Sequence, residues 1–325
     1  MCAIKIPIKK AVSSNKDQTP PEMPDMVNEV SIPTVPSLEP FIDKIVIFIT
    51  PPSMKSREEL HKAFFTYAGN KSHFLDAKPN RGFSIGKRIV LGESFDTKSN
   101  PYLSVAHGLY QITKLRLEFS PQDLGVDGMN QLHSALSLFM DSGWAFVVEN
   151  GGATKIEVSV DIPDVQIADL LVLPTQTTSA RTWTNDGTLE TIVLGLAKSG
   201  RQTRIYDRGA KRQANGQFDS KYNGTRVEVI TRLSIALPKL STMKNPFKPI
   251  RLLVAPPPPN DPKPYIWTMF MDSVAARTLP VALKLLPEEK RTEYRKWLKQ
   301  YPVDWWNPEE IWAKWPKYLE ESSIV

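Results

Sequence analysis

From residue 114 to residue 233, apolar and polar positions alternate in a pattern that fits extended chain with one face buried. "KLRLEFS" (114–120) sets Leu115, Leu117 and Phe119 against Lys114, Arg116 and Glu118. "KIEVSVD" (155–161) sets Ile156, Val158 and Val160 against Lys155, Glu157, Ser159 and Asp161. "TRVEVITRL" (225–233) repeats the pattern, with Arg226, Glu228 and Arg232 opposite Val227, Val229 and Leu233. "TIVLGLA" (191–197) and "TRIYD" (203–207) read as two further strands, and "FIDKIVIFIT" (41–50) as the first. "WAFVVE" (144–149) also reads as a strand, closed by the hairpin signal Asn150-Gly151. Helical spacing predicts helices over "SREELHKAFFTYA" (56–68), "MNQLHSALSLFMDSG" (129–143) and "PEEKRTEYRKWLKQ" (287–300).

Strands that alternate call for a sheet with one face on a core and the other polar, the usual state of an antiparallel sheet. The predicted class is therefore α+β, with a central antiparallel sheet, helices on one face and a small C-terminal helical module. Residues 1–40 hold seven prolines and little periodicity, which predicts a flexible tail. Residues 41–243 form the main domain. Residues 244–264 follow as a stiff proline-rich linker, with four prolines in a row at 256–259. Residues 265–325, with six of the eight tryptophans, form the helical module.

Composition narrows the chemistry. One cysteine, Cys2, excludes an internal disulfide framework and a thiolate metal cluster. No apolar run approaches the ~18 residues a membrane span needs, and the start of the chain lacks a secretory apolar region, so a cytoplasmic protein is expected. The net charge of +6 is unevenly placed. Residues 198–251 carry thirteen Lys/Arg against three acids, whereas 287–325 carry seven against eight. A basic internal segment is the footprint of a phosphate-backbone partner, or of a solvated basic face.

That segment contains "RQTRIYDRGAKR" (201–212), a tyrosine set among Arg201, Arg204, Arg208, Lys211 and Arg212. On an extended chain Arg204, Tyr206 and Arg208 share a face. Cations there could stabilise a phenolate and grip a phosphate, making Tyr206 a candidate nucleophile. A tyrosine stacked on arginine at a sheet edge has the same spacing. Glu118, Glu157, Asp161 and Glu228 fall on polar strand faces, and oxygen-only ligands suit Mg²⁺ or Mn²⁺. "GLAKSGRQ" (195–202) has the glycines of a phosphate-binding loop, but Arg201 and Gln202 replace its Lys and hydroxyl. The four histidines form no H-x-H or H-x-x-x-H pair, so zinc chemistry has no support.

"LGLAKSGRQTRIYDRGAKR" (194–212), with "TRVEV" (225–229) beyond it, resembles the trans-acting Rep family of rolling-circle replication initiators and related relaxases. "KIEVSVD" is similar to that family's upstream acidic strand and "LRLEFSPQDL" to its opening strand. The resemblance covers about residues 110–235. It implies a relaxase-like palm and a metal-dependent, single-tyrosine nickase. Tyr206 would be the nucleophile, and Glu157, Asp161 and Glu228 would hold the ion. Lys198, Arg204 and Arg208 would lie around the DNA phosphate, with Arg201, Lys211 and Arg226 as further phosphate-binding candidates. Leu196-Ala197 departs from the family's small-basic pair, Glu157 stands in place of the more frequent aspartate, and Ile230 replaces a second acid. The expected partner is origin DNA, single-stranded or cruciform, with a host helicase and a second copy of the chain as further candidates and no membrane. A DNA-binding regulator or packaging factor on the same basic sheet, and a scaffold binding through the tryptophan module, are the competing readings.

Overall fold

The alternating segments pair, all antiparallel, into one ten-stranded sheet. In chain order the strands are β1 (Phe41–Ile49), β2 (Phe74–Ala77), β3 (Ile85–Ile89), β4 (Tyr102–Gly108), β5 (Gln111–Phe119), β6 (Gly151–Pro163), β7 (Leu171–Pro174), β8 (Ala180–Asn185), β9 (Thr188–Leu194), β10 (Arg201–Asp207), β11 (Gly224–Ala236) and β12 (Ile250–Leu253). The spatial order is β2-β3-β4-β5-β1-β6-β11-β10-β9-β8, and β7 and β12 make a separate two-stranded ribbon. The computed structural model describes residues 37–92, 99–174, 180–185, 188–214, 223–260 and 263–325. The expected tail lies outside the described residues up to position 36.

Register places the residues of the main cluster on one side of the central strands. Ile45 opposes Phe119 and Ile156, Ile47 opposes Leu117, Val158 opposes Val229 and Val160 opposes Val227. All are buried in a single cluster. Each contributes on the order of 1.5–3 kcal/mol by leaving water. Helices cover that face. α1 (Met54–Tyr67) adds Leu60 and Phe64, α2 (Pro121–Ser137) adds Leu132 and Leu136, and α3 (Trp144–Asn150) adds Val147. Ser53 starts α1 with a capping box to Ser56, which satisfies donors at the helix N-terminus. The two longest strands, β6 and β11, thus carry the apolar cluster on one face and mainly polar side chains, several of them buried, on the other.

Two predicted elements change. Residues 144–149 form the helix α3, not a strand: a short apolar run fits either state, and β6 already begins at Gly151. A Cβ at Gly151 would lie 2.2 Å from the Val147 carbonyl oxygen, so only glycine lets α3 turn directly into β6. The helix expected at 129–143 begins at Pro121, bends at Gly125 (φ 60°) and ends at Ser137.

Within the expected linker, Ile250–Leu253 is strand β12 and pairs with β7. The C-terminal helices are α5 (Pro264–Arg277), α6 (Leu279–Leu285), α7 (Glu288–Leu298), α8 (Pro308–Ala313) and α9 (Trp315–Glu321). α5, α6 and α7 bury Trp267, Phe270, Leu283 and Tyr294 against Leu173 and Leu253 of the ribbon. α8 and α9 bury Ile311, Trp315 and Leu319 in the main cluster itself. The indoles are structural: Trp306 Nε1 donates to the Ile250 carbonyl at 3.1 Å and Trp315 Nε1 to that of Leu240 at 3.0 Å. Buried residues of 265–325 thus share both apolar clusters with the strands.

Candidate active site on the polar sheet face

Three cross-strand rows build the site on the face away from the main cluster. Gln202, Ile230, Glu157 and Lys44 form one, Arg204, Glu228, Ser159 and Phe41 the next, and Tyr206, Arg226 and Asp161 the third. Alternation along β10, β11 and β6 fixes which side chains share the face, and register fixes which of them meet.

Tyr206 is 4% exposed, and its ring lies on this polar face rather than in the hydrophobic cluster. Its hydroxyl donates to Glu228 Oε2 at 3.2 Å. α4 (Arg208–Ala214) follows β10 directly and brings Lys211 back over it. Lys211 Nζ donates to the Tyr206 oxygen at 3.0 Å and sits 4.2 Å from the ring centroid. Arg204 Nη1 meets Glu228 Oε1 at 3.1 Å, so both Glu228 oxygens are engaged.

The acids gather differently from the predicted set. One carboxylate oxygen each from Asp43, Glu157 and Glu228 lies within 4.8 Å of the other two. Asp161 is instead held in ion pairs: Arg226 Nε reaches its Oδ1 at 2.6 Å and Nη2 its Oδ2 at 3.0 Å, and Arg208 binds it as well. Arg226 also reaches Asp43 Oδ1 at 2.6 Å and lies against the Phe41 ring. Cross-strand position explains the exchange. Asp161 stands directly opposite Arg226, whereas Asp43 is the extra residue of a β-bulge between Ile42 and Lys44. Bulges re-aim side chains in this way. The sequence carries a signal for it: the core isoleucines 42, 45, 47 and 49 break their two-residue period once, across Asp43.

The remaining predicted cations are dispersed. Lys198 is exposed on the β9–β10 turn, at the far end of β10 from Tyr206. Arg201 points to the opposite sheet face and donates to the Pro246 carbonyl. The Arg212 side chain lies outside the described residues. Glu118 shares the site face but is paired with Arg116 and Lys44.

Electrostatics follow from burial. The carboxyls of Asp43 and Glu228 are pushed above the usual range, first by burial, then for Glu228 by the neighbouring Glu157 and Asp43. The Tyr206 phenol is pushed far above its ordinary value by burial and by the Glu228 charge. Burial also opposes the Arg226 charge, but its bonds to Asp161 more than offset that and raise its pKa. Ser159 Oγ, fully buried on β6 opposite Glu228, has no hydrogen-bond partner among the described residues. Three crowded carboxylates and an orphaned hydroxyl oxygen on one face suit a hard divalent cation. Beside the Arg208–Asp161 pair opens a cavity of about 380 Å³, lined also by Phe41, Gln122 and Asn223.

No family model matches the sequence, and no curated protein matches it. Among solved structures the chain is similar to a rolling circle replication initiator protein from Geobacillus stearothermophilus, at 15% identity and a TM-score of 0.40, over 74% of this chain and 98% of that one. Among the described residues no helix is long and apolar enough to cross a membrane.

Proposed function

We propose that the chain is a DNA-nicking replication initiator of the rolling-circle type, with Tyr206 as its nucleophile. One observation carries the reading: a tyrosine hydroxyl bonded on one side to a buried acid and on the other to a lysine, at the edge of an acid cluster. A phenol is a poor nucleophile until its proton has somewhere to go. Glu228 is placed to supply it, since its Oε2 already accepts the hydrogen bond of the Tyr206 hydroxyl. Lys211 then faces the phenolate oxygen. Attack forms a bond from the Tyr206 oxygen to phosphorus and breaks the bond from phosphorus to the 3′ oxygen. That oxygen leaves and takes a proton, giving a 5′-phosphotyrosyl end and a free 3′-OH. Asp43, Glu157 and Glu228 would hold Mg²⁺ or Mn²⁺, which polarises the scissile phosphodiester and offsets its charge. In this reading Asp43 replaces Asp161 as a ligand, and Asp161 positions Arg226 and Arg208. Because Tyr206 is buried, Lys211 must lift from the ring for a phosphate to enter.

That burial is also the specific observation favouring the competing reading, a DNA-binding regulator that never nicks. The two separate on a denaturing gel. Wild-type protein incubated with supercoiled or single-stranded DNA and Mn²⁺ is expected to give an SDS-resistant adduct, with the modified peptide containing Tyr206. Tyr206→Phe should bind DNA and form no adduct. An adduct of undiminished yield from the variant would falsify the assignment.

A further inference from the structure

The face that carries Tyr206 and the acid cluster continues across β1, β5 and β4, where its chemistry changes from acidic to aromatic and basic. Phe48 of β1 stands on this face opposite Arg116, which in turn opposes Ser104. Its ring stacks near-parallel on Phe83, with centroids 6.0 Å apart. Lys114 Nζ sits 4.0 Å from the Phe48 centroid and 5.9 Å from that of Phe83, and no acidic partner of Lys114 is found among the described residues. On the other side Phe48 is opposite Gly152, which has no side chain to cover the ring. Arg116 Nη1 is buried without a partner among the described residues. Lys44 extends the basic character toward the acid cluster. Phe48 lies four residues along β1 from Lys44, a distance of about 14 Å.

We propose that Phe48, Phe83 and Lys114 form a second contact for single-stranded DNA, where bases stack on the rings and Lys114 meets the backbone. The inference rests on the DNA reading of the same face. Paired aromatic rings amid cations are what sequence-tolerant single-strand binding uses, because every base has a π-face and every nucleotide a phosphate. The platform holds the strand at a distance from Tyr206, so that binding energy spent there steadies the scissile phosphate.

The test uses the full chain and a fluorescent thymidine dodecamer carrying 5-iododeoxyuridine. Phe48→Leu/Phe83→Leu keeps apolar volume but removes both π-faces, and circular dichroism checks its fold. Its dissociation constant is expected to rise about 5- to 100-fold. Lys114→Ala should lower the slope of log K against log salt by about one. Irradiation followed by mass spectrometry should place cross-links on peptides containing Phe48 or Phe83, in wild type and in Tyr206→Phe alike. Unchanged affinity of the Leu variant, with cross-links confined to the β10–α4 and β11 peptides, overturns the platform even if the Tyr206 adduct forms. Cross-links at Phe48 or Phe83 without any Tyr206 adduct uphold the platform and sink the nicking reading instead.

Discussion

Replacing Glu228 by Gln probes the acid cluster without any DNA substrate. The change deletes one charge and keeps almost the same volume. At an effective dielectric of about 20, two carboxylate oxygens no more than 4.8 Å apart repel by about 3.5 kcal/mol or more. Asp43 and Glu157 together therefore oppose the Glu228 charge by about 7 kcal/mol or more. Arg204, at 3.1 Å, returns about 5 kcal/mol in the same dielectric. Its side chain is 42% exposed, however, and solvent screening cuts that share sharply. Without a cation, Glu228→Gln should be as stable as the wild type or somewhat more so. A divalent cation reverses the ranking. At a hundred times Kd it adds about 2.7 kcal/mol to a protein that binds it only when folded. For a chain of this length that is a Tm rise of about 5 °C. Differential scanning fluorimetry with Mg²⁺ or Mn²⁺ near neutral pH reads the effect directly. The wild type should rise and the variant should stay flat. Equal rises in the two proteins, or no rise in the wild type with either ion, refute the cation site.

Three further outcomes follow from the same geometry. The carboxyls of Asp43 and Glu228 have raised affinity for protons in the folded state, so their stabilising contribution is full below the ordinary carboxylate range and is lost as pH rises through the raised values; in cation-free buffer, the Tm of wild type minus that of Asp43→Asn/Glu228→Gln should fall with rising pH, and a difference that grows would contradict the burial argument. Asp161→Asn removes one of the two acids that hold the buried Arg226 and should cost about 1.5–3 kcal/mol in urea unfolding, yet leave the Mn²⁺-induced Tm rise in place; loss of that rise would return Asp161 to the ligand set. Trp315→Ala empties a fully buried site in the main cluster and should cost about 3–5 kcal/mol, in one cooperative transition; a separate early transition would show that the C-terminal helices fold on their own.

Much of the sheet was written in the order of residues. Period-two alternation over 114–120, 155–161 and 225–233 told which side chains face the core, and β5, β6 and β11 place them so. The same alternation put Glu157, Glu228, Arg204 and Tyr206 on one face, where cross-strand register then brought them together. Local pattern could not distinguish helix from strand at 144–149, because six apolar-rich residues satisfy both periods and only the start of β6 decides. Nor could it show that "PIRLLV" and the tryptophans belong to the same cores as the strands, since that depends on β12 finding β7 about eighty residues earlier in the chain.

Sequence alone therefore determined which face most side chains of the regular strands take, because successive side chains of an extended chain point to opposite sides. Tertiary structure alone decided which acids share a cation-sized space. That choice depends on strand pairing and on one bulge, which turned Asp43 into the cluster, while direct opposition to Arg226 drew Asp161 away into an ion pair.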